Sequence, residues 1–191
     1  TVDGARITEA DINSCIKNYK KNISEIIKRD SVVTMGVDIG KWLHVEIDEW
    51  NNEGIPKVIY EDKVINFEDL DVLMKEYGVN FAVVDSQPER RKAYEFACRF
   101  WGIVKLCFYT RGINNKQIHI NQEEEQSINV DRTSWLDASL SRFKSKTIQL
   151  PINLSYEYKK HIQALVRCYE KDELGNPVGR YINIGDDHYA H

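Results

Sequence analysis

The sequence predicts an α/β fold in which helices cover both faces of a mixed β-sheet. Residues 32–64 contain three strand-like runs separated by turn residues, a pattern typical of an antiparallel meander. From residue 67 to residue 109 the spacing of hydrophobic residues alternates between that of a helix and that of a strand. This pattern is typical of parallel strands joined by right-handed crossovers. A meander that continues into a parallel half makes a mixed sheet whose faces need helices.

The meander is predicted from residues 32–38, 42–49 and 57–64. The first run is apolar and ends just before Gly40, and the second alternates between polar and apolar side chains. Turn residues at 51–56 separate the second run from the third.

The remaining elements are predicted from changes in the spacing of hydrophobic residues along the chain. The predicted helices cover residues 67–77, 89–100, 131–145 and 154–164, and another begins near residue 185. The predicted strands cover residues 80–85, 103–109 and 147–150, and residues 110–128 are predicted to be irregular. Residues 165–169 and 180–184 flank the turn-forming stretch 172–177, which indicates a β-hairpin.

Residues 7–29 are predicted to form one amphipathic helix, because Thr8 and Asp11 resemble a capping box and isoleucines recur at helical spacing. Two interpretations remain open: the end of a connector from an upstream domain, or a peripheral helix of the same domain. We divide the chain into a leading helix or connector (1–30) and the main domain (31–191).

Composition narrows the functional classes. No apolar run approaches the roughly 20 residues that a membrane span needs, so we expect no membrane partner. The four cysteines are scattered without a CxxC pair, which speaks against a zinc site and indicates reduced thiols. The formal net charge of −4 neither supports nor excludes DNA binding, because a nuclease must also carry several acidic residues to bind metal.

Two familiar motifs are excluded. The segment from Gly36 to Lys41 looks like a shortened phosphate loop, but three residues separate its glycines where the motif needs four. Trp42 also stands where Ser or Thr would hold Mg²⁺. The five histidines form no HExxH pattern, and no serine lies in the glycine elbow of a hydrolase nucleophile.

Acidic residues carry the predicted chemistry. Asp38 and Asp85 each end a buried strand, at the edge where open α/β sheets bind ligands, and Asp186 and Asp187 begin the last element. Carboxylates in one place repel one another unless a cation holds them, and oxygen ligands favour Mg²⁺ or Mn²⁺. Two such ions about 3.5–4 Å apart are suited to phosphodiester hydrolysis. For any single acid, a turn or capping role is the alternative.

Basic residues predict a DNA interface. Three of them open the helix after Asp85, where helix N-termini favour phosphate, although a solvated helix face is the alternative. His188 adjoins the predicted metal acids and would orient a carboxylate or contact a phosphate. The predicted DNA-binding set is Arg90, Arg91, Lys92, Arg142, Lys144, Lys146 and His188.

The hairpin at 170–180 is predicted to control DNA access. Its tip is acidic, basic residues flank it, and it ends a few residues before Asp187. An acidic tip would repel phosphate until it moves aside. The predicted regulatory residues are Lys171, Asp172, Glu173, Asn176 and Arg180.

Five segments, in order, resemble the C-terminal nuclease domain of large terminase subunits, which package DNA into tailed-phage heads. They are residues 35–40, 82–88, 130–137, 148–151 and 185–191. The resemblance implies a ribonuclease-H-like fold and two-metal cleavage of double-stranded DNA with little sequence preference. It places the metal on Asp38, Asp85 and Asp187, with Asp186 as an additional ligand.

The resemblance also implies the setting. We expect an upstream packaging ATPase domain in the full-length protein, portal and small terminase subunits as partners, and activity in the host cytoplasm rather than in the virion. Two other functions stay open. One is a ribonuclease-H-like nuclease for branched junctions or transposon ends, and the other is a non-catalytic docking module of the packaging machine.

Overall fold

The computed structural model describes residues 6–24, 30–110, 119–120 and 126–191. Its strands are β1 Val32–Ile39, β2 Leu43–Trp50, β3 Pro56–Val64, β4 Phe81–Asp85, β5 Val104–Thr110, β6 His119–Ile120, β7 Ser127–Asp131, β8 Leu165–Lys171 and β9 Pro177–Asn183. Within this part of the chain, seven strands form one sheet in the order β3-β2-β1-β4-β5-β7-β6, and β8 and β9 form a separate hairpin. Strands β1, β4, β5 and β7 run parallel, whereas β2, β3 and β6 pair antiparallel with their neighbours. The predicted mixed sheet and hairpin are confirmed.

Helix boundaries follow local capping. The helices are α1 Glu9–Ser14, α2 Phe67–Glu76, α3 Arg90–Arg99, α4 Arg132–Ser145 and α5 Tyr156–Gln163, and a closing 3-10 turn covers His188–Ala190. The side chain of Asn66 accepts from the backbone of Asp69 in a capping box, and the side chains of Asp131 and Ser155 accept from backbone amides at the starts of α4 and α5. No helix in the described ranges is long and apolar enough to span a membrane.

The sheet separates two hydrophobic cores. On β2, Leu43, Val45 and Ile47 pack into the core beneath α2 and α3, while the alternate residues face α5. The second core joins α1, α4, α5 and the closing turn, and its centre includes the fully buried Leu136 and Tyr158. This layering holds α4, α5 and the closing turn against one face of the sheet.

The predicted single helix over 7–29 is wrong. Helix α1 ends at Ser14, and the chain then runs irregularly, with the Lys17 amide donating to the Leu150 carbonyl at 2.8 Å. The Tyr19 hydroxyl donates to the carbonyl of Val58 at 2.8 Å, so tertiary packing overrides the helical spacing. Residues 25–29 lie outside the described residues, and the division of the chain at residue 30 stays a prediction.

Three further expectations need correction. Instead of a strand at 147–150, Gln149 and Leu150 form only isolated bridges. Strand β6 and the first two residues of β7 lie within the stretch expected to be irregular, and residues 111–118 and 121–125 lie outside the described residues. The expected last helix is a 3-10 turn of three residues in the structure.

Two acids on the α5 side of β2 predict a pH-dependent stability. Glu46 and Asp48 share a hydrogen bond, and burial raises the pKa of Asp48 from 3.8 to about 7 and that of Glu46 well above its usual range. Because the folded state favours their protonated forms, this contribution to stability is lost as pH rises through the raised pKa.

We therefore expect Asp48→Asn to melt several degrees above the parent at pH 8, since about 1 kcal/mol shifts Tm by about 2–4 °C at this size. Between pH 4 and 7 the variant should also lose less stability than the parent. Thermal melting across this range tests the expectation, with the exposed Asp62→Asn on β3 as the control. Parallel pH profiles for parent and Asp48→Asn would contradict it.

Candidate functional site

Asp38 and Asp85 lie side by side at the carboxyl ends of two parallel strands. The last registered pair between β1 and β4 is Val37 with Val84, so the next residue on each strand is an aspartate. Neighbouring strands are about 4.8 Å apart, and residues on one rung face the same side. Burial first, and then the charge of Asp38, raise the pKa of Asp85. The structure thus brings two of the predicted metal acids together.

Asp187 reaches the same edge through the closing turn. The residue after it, His188, places Nδ1 2.6 Å from Oδ2 of Asp38. His191 places Nε2 2.8 Å from Oδ2 of Asp187, and its charge also acts to lower the pKa of Asp85. One histidine after Asp187 therefore contacts Asp38, and the other contacts Asp187 and acts electrostatically on Asp85.

The carboxylate of Asp187 is held from one side. Its Oδ2 contacts Asn183 Nδ2 at 2.7 Å, His191 Nε2 at 2.8 Å and Arg132 Nη2 at 3.4 Å. Burial alone would raise the pKa of Asp187, but His191, Arg132 and His188 together lower it. All hydrogen bonds of this carboxylate within the described residues use Oδ2, so Oδ1 remains for a ligand.

A cluster of imidazoles lies beside Asp38. His44 is the registered partner of Asp38 on β2, and its ring stacks on His188 with centroids 4.2 Å apart. His161 packs edge-on against both rings. Burial lowers the pKa of His44 to about 4 and also lowers that of His161, so both are neutral at pH 7. A Cβ at Gly40 would lie 3.3 Å from the His188 ring, so the small residue leaves room for this ring.

These residues fit a divalent cation. Ligand atoms of Asp38, His44 and His188 all lie within 4.8 Å of one another. Carboxylate oxygen suits Mg²⁺ and Mn²⁺, and imidazole nitrogen suits the transition metals. Asp186 is exposed beside the buried Asp187, and its charge acts on His161. Its predicted role as an additional ligand stays a prediction.

The first group of predicted DNA-binding residues lies on α3, the helix that follows β4. Helix α3 begins five residues after Asp85, and the guanidinium of Arg90 lies over the Phe108 ring at 5.4 Å. Arg91 and Lys92 are exposed and pair with glutamates of the same helical region. A role for these three residues in DNA binding stays a prediction.

The second group is not brought to the acids. Helix α4 begins at the site with Arg132, and Arg142 lies about 15 Å further along the helix axis. There Arg142 donates to the Gly54 carbonyl at 3.1 Å, and Lys144 pairs with Asp11 at 2.7 Å. Lys146 follows as the left-handed cap of the same helix. A role for these three in DNA binding stays a prediction.

The hairpin of β8 and β9 has its base at the site. Asn183, the last residue of β9, contacts Asp187. At the tip, Asp172 accepts from the amides of Leu174 and Asn176 at 2.9 and 2.7 Å, which orders the turn. Glu170 and Arg180 form an ion pair across the strands at 3.1 Å, and Lys171 and Glu173 are exposed.

Sequence reasoning missed several residues of the site. His191 stands four residues after Asp187, a spacing that could have identified it. His44 could have been identified from the tight turn between β1 and β2, because this turn places His44 opposite Asp38. The others carry no local signal, because distant segments bring them in; they are Arg132, His161, Asn183 and Tyr109, whose ring lies 5.6 Å from that of His191.

Comparison with known proteins identifies the fold. No protein-family model and no curated sequence matches the chain. Among solved structures, the nuclease domain of the P22 large terminase superposes with a TM-score of 0.52 at 9% sequence identity, covering 91% of this chain and 83% of that domain. The chain therefore has the fold of a large terminase nuclease domain, as the sequence predicted.

Proposed function

We propose that this chain is a metal-dependent endonuclease that cleaves double-stranded DNA with little sequence preference during phage genome packaging. The observation that carries the proposal is the pair Asp38 and Asp85 on one rung, with Asp187 brought to the same edge by the closing turn, where His188 contacts Asp38. The fold likeness to the P22 domain supports the same assignment.

Asp38 lies between Asp85 on β4 and His188 of the closing turn, so Asp38 would hold the metal together with Asp85 and Asp187. When bound, two Mg²⁺ or Mn²⁺ ions supply the charge that activates water and stabilises the leaving oxygen. The pKa of Asp187 is lowered and that of Asp85 is raised, and both carboxylates must be deprotonated to bind metal. Metal affinity should therefore rise with pH.

The biological setting is part of the proposal. We propose double-stranded DNA as the substrate and the portal and small terminase subunits as partners. An ATPase domain would precede residues 1–30 in the full-length protein, and the enzyme would act in the host cytoplasm. The fold likeness supports the DNA-packaging part of this setting.

Incubation with supercoiled plasmid in Mn²⁺, Mg²⁺ or EDTA tests the activity. We expect a smear of products with metal and no cutting in EDTA. Equal cutting in EDTA, or one discrete product set, would contradict the proposal. Cleavage confined to branched DNA would favour a junction resolvase, and neither cleavage nor metal binding would favour a docking module.

The hairpin gives a separate prediction. Shortening its tip, residues 172–177, to a two-residue turn removes the acidic Asp172 and Glu173 between Lys171 and Arg180. Because an acidic tip repels phosphate, we expect the rate of plasmid cleavage to change clearly, and to rise if the tip blocks entry. A comparison of the initial rates of plasmid cleavage by parent and variant tests this expectation. Equal rates with an intact melting transition would remove the tip from the mechanism.

A further inference from the structure

We infer that Asn183 is a positioning residue for Asp187, and that the hairpin base thereby sets the metal affinity of the site. The inference rests on the proposed function, because Asp187 is taken as a metal ligand. It assigns a role to a hairpin residue that lies outside the acid triad.

The first step is the orientation of the Asn183 amide. Its Nδ2 donates to Oδ2 of Asp187 at 2.7 Å, and its Oδ1 accepts from Nη2 of Arg132 at 3.4 Å. The same Arg132 nitrogen also lies 3.4 Å from Oδ2 of Asp187. The amide is thus held at both ends, and its donor is directed at the carboxylate.

The second step is the attachment of β9. Two residues before Asn183, the Tyr181 hydroxyl donates to Oδ1 of Asp137 on α4 at 2.6 Å. Arg167, the registered partner of Tyr181, donates to both oxygens of Asp137 at 2.7 and 3.0 Å. A Cβ at Gly179 would lie 2.5 Å from the Arg167 guanidinium, so this glycine lets the arginine lie flat across the strand.

These contacts make the hairpin base and α4 one support for Asp187. Helix α4 supplies Arg132 at its first turn and Asp137 further along, and β9 supplies Asn183. Because these donors fix the position of Oδ2, they also fix the direction in which Oδ1 of Asp187 points. Loss of a group that orients a metal ligand typically weakens metal binding or activity about 10- to 100-fold. A displacement of β9 would therefore be transmitted to the metal site.

The test compares two asparagines of the same hairpin. In Asn183→Ala the donor to Asp187 is lost, and Asn176→Ala is the matched control, because Asn176 Nδ2 donates to Asp172 Oδ2 at 3.2 Å across the same spacing. Calorimetry with Mn²⁺ alone should show about tenfold or greater weakening for Asn183→Ala. With plasmid, its kcat should fall while KM for DNA stays unchanged. Asn176→Ala should match the parent in Mn²⁺ affinity, because Asn176 lies in the hairpin tip and Asn183 at its base.

A second variant guards against a folding defect. Asn183→Leu keeps a similar side-chain size without a donor or a new charge, so Mn²⁺ affinity should fall as far as in Asn183→Ala. Affinities of both Asn183 variants within twofold of the parent, while the parent binds Mn²⁺ and cuts DNA, would overturn this inference and leave the proposed function standing. A parent that neither binds Mn²⁺ nor cuts would overturn both.

Discussion

Asp38→Asn should reduce metal-dependent cleavage by about a thousandfold or more, because metal ions supply several kcal/mol of transition-state stabilisation and each 1.36 kcal/mol is about tenfold in rate. Asp38 is the acid that faces both Asp85 and His188, so its loss affects both sides of the site. The substituted amide still accepts from His188 through its oxygen, so the fold should persist.

Initial rates of plasmid cleavage in Mn²⁺ measure the effect. Asp30→Asn is the control, since Asp30 is exposed just before the opposite end of the same strand. The control should cut at the parental rate. Cleavage by Asp38→Asn within tenfold of the parent would remove Asp38 from the metal site.

Asp85→Asn should abolish most of the stabilisation that Mn²⁺ gives, without destabilising the metal-free domain. Burial and the charge of Asp38 raise the pKa of Asp85, so its ionised form costs stability as pH rises through that pKa. In EDTA at pH 8 the variant should melt at the parental temperature or above. At a hundredfold excess of Mn²⁺ over its Kd, the parent should gain about 2.7 kcal/mol.

A structural role for Asp85 predicts the opposite result. Its Oδ1 accepts from the Gln87 amide at 3.1 Å, which is a capping contact in its own right. If that contact were its whole role, the substitution would cost up to about 1–2 kcal/mol and leave the metal response intact. Melting curves of parent and variant, each in EDTA and in Mn²⁺, separate the two roles.

The sheet was predicted well where the hydrophobic residues of the sequence recur at regular spacing. The alternation in β2 identified its two faces, and the apolar runs of β1, β4 and β5 identified the buried parallel strands. Strand β7 was missed because Ser127 and Asn129 interrupt its apolar pattern, and its pairing with β5 supplies what local propensity does not. The prediction for the N-terminal segment was wrong for the reverse reason. Its apolar residues recur at helical spacing, but after Ser14 the chain packs against the fold without forming a helix.

The site was predictable to the extent that it lies at strand ends. Asp38 and Asp85 were identified because each closes a buried strand at the edge where open α/β sheets bind ligands, and register then placed them on one rung. The histidines around them depend on contacts across the fold, such as the one between His188 and Asp38, 150 residues apart. No pattern within one segment reports such a contact.

The most direct test of the central claim is diffraction from crystals soaked in Mn²⁺, with anomalous scattering used to locate the metal. The account predicts two peaks about 3.5–4 Å apart, as in two-metal nucleases, in contact with Asp38, Asp85 and Asp187. No bound Mn²⁺ at these carboxylates, or a single ion held by Asp38, His44 and His188 without Asp85 or Asp187, would contradict the two-metal site.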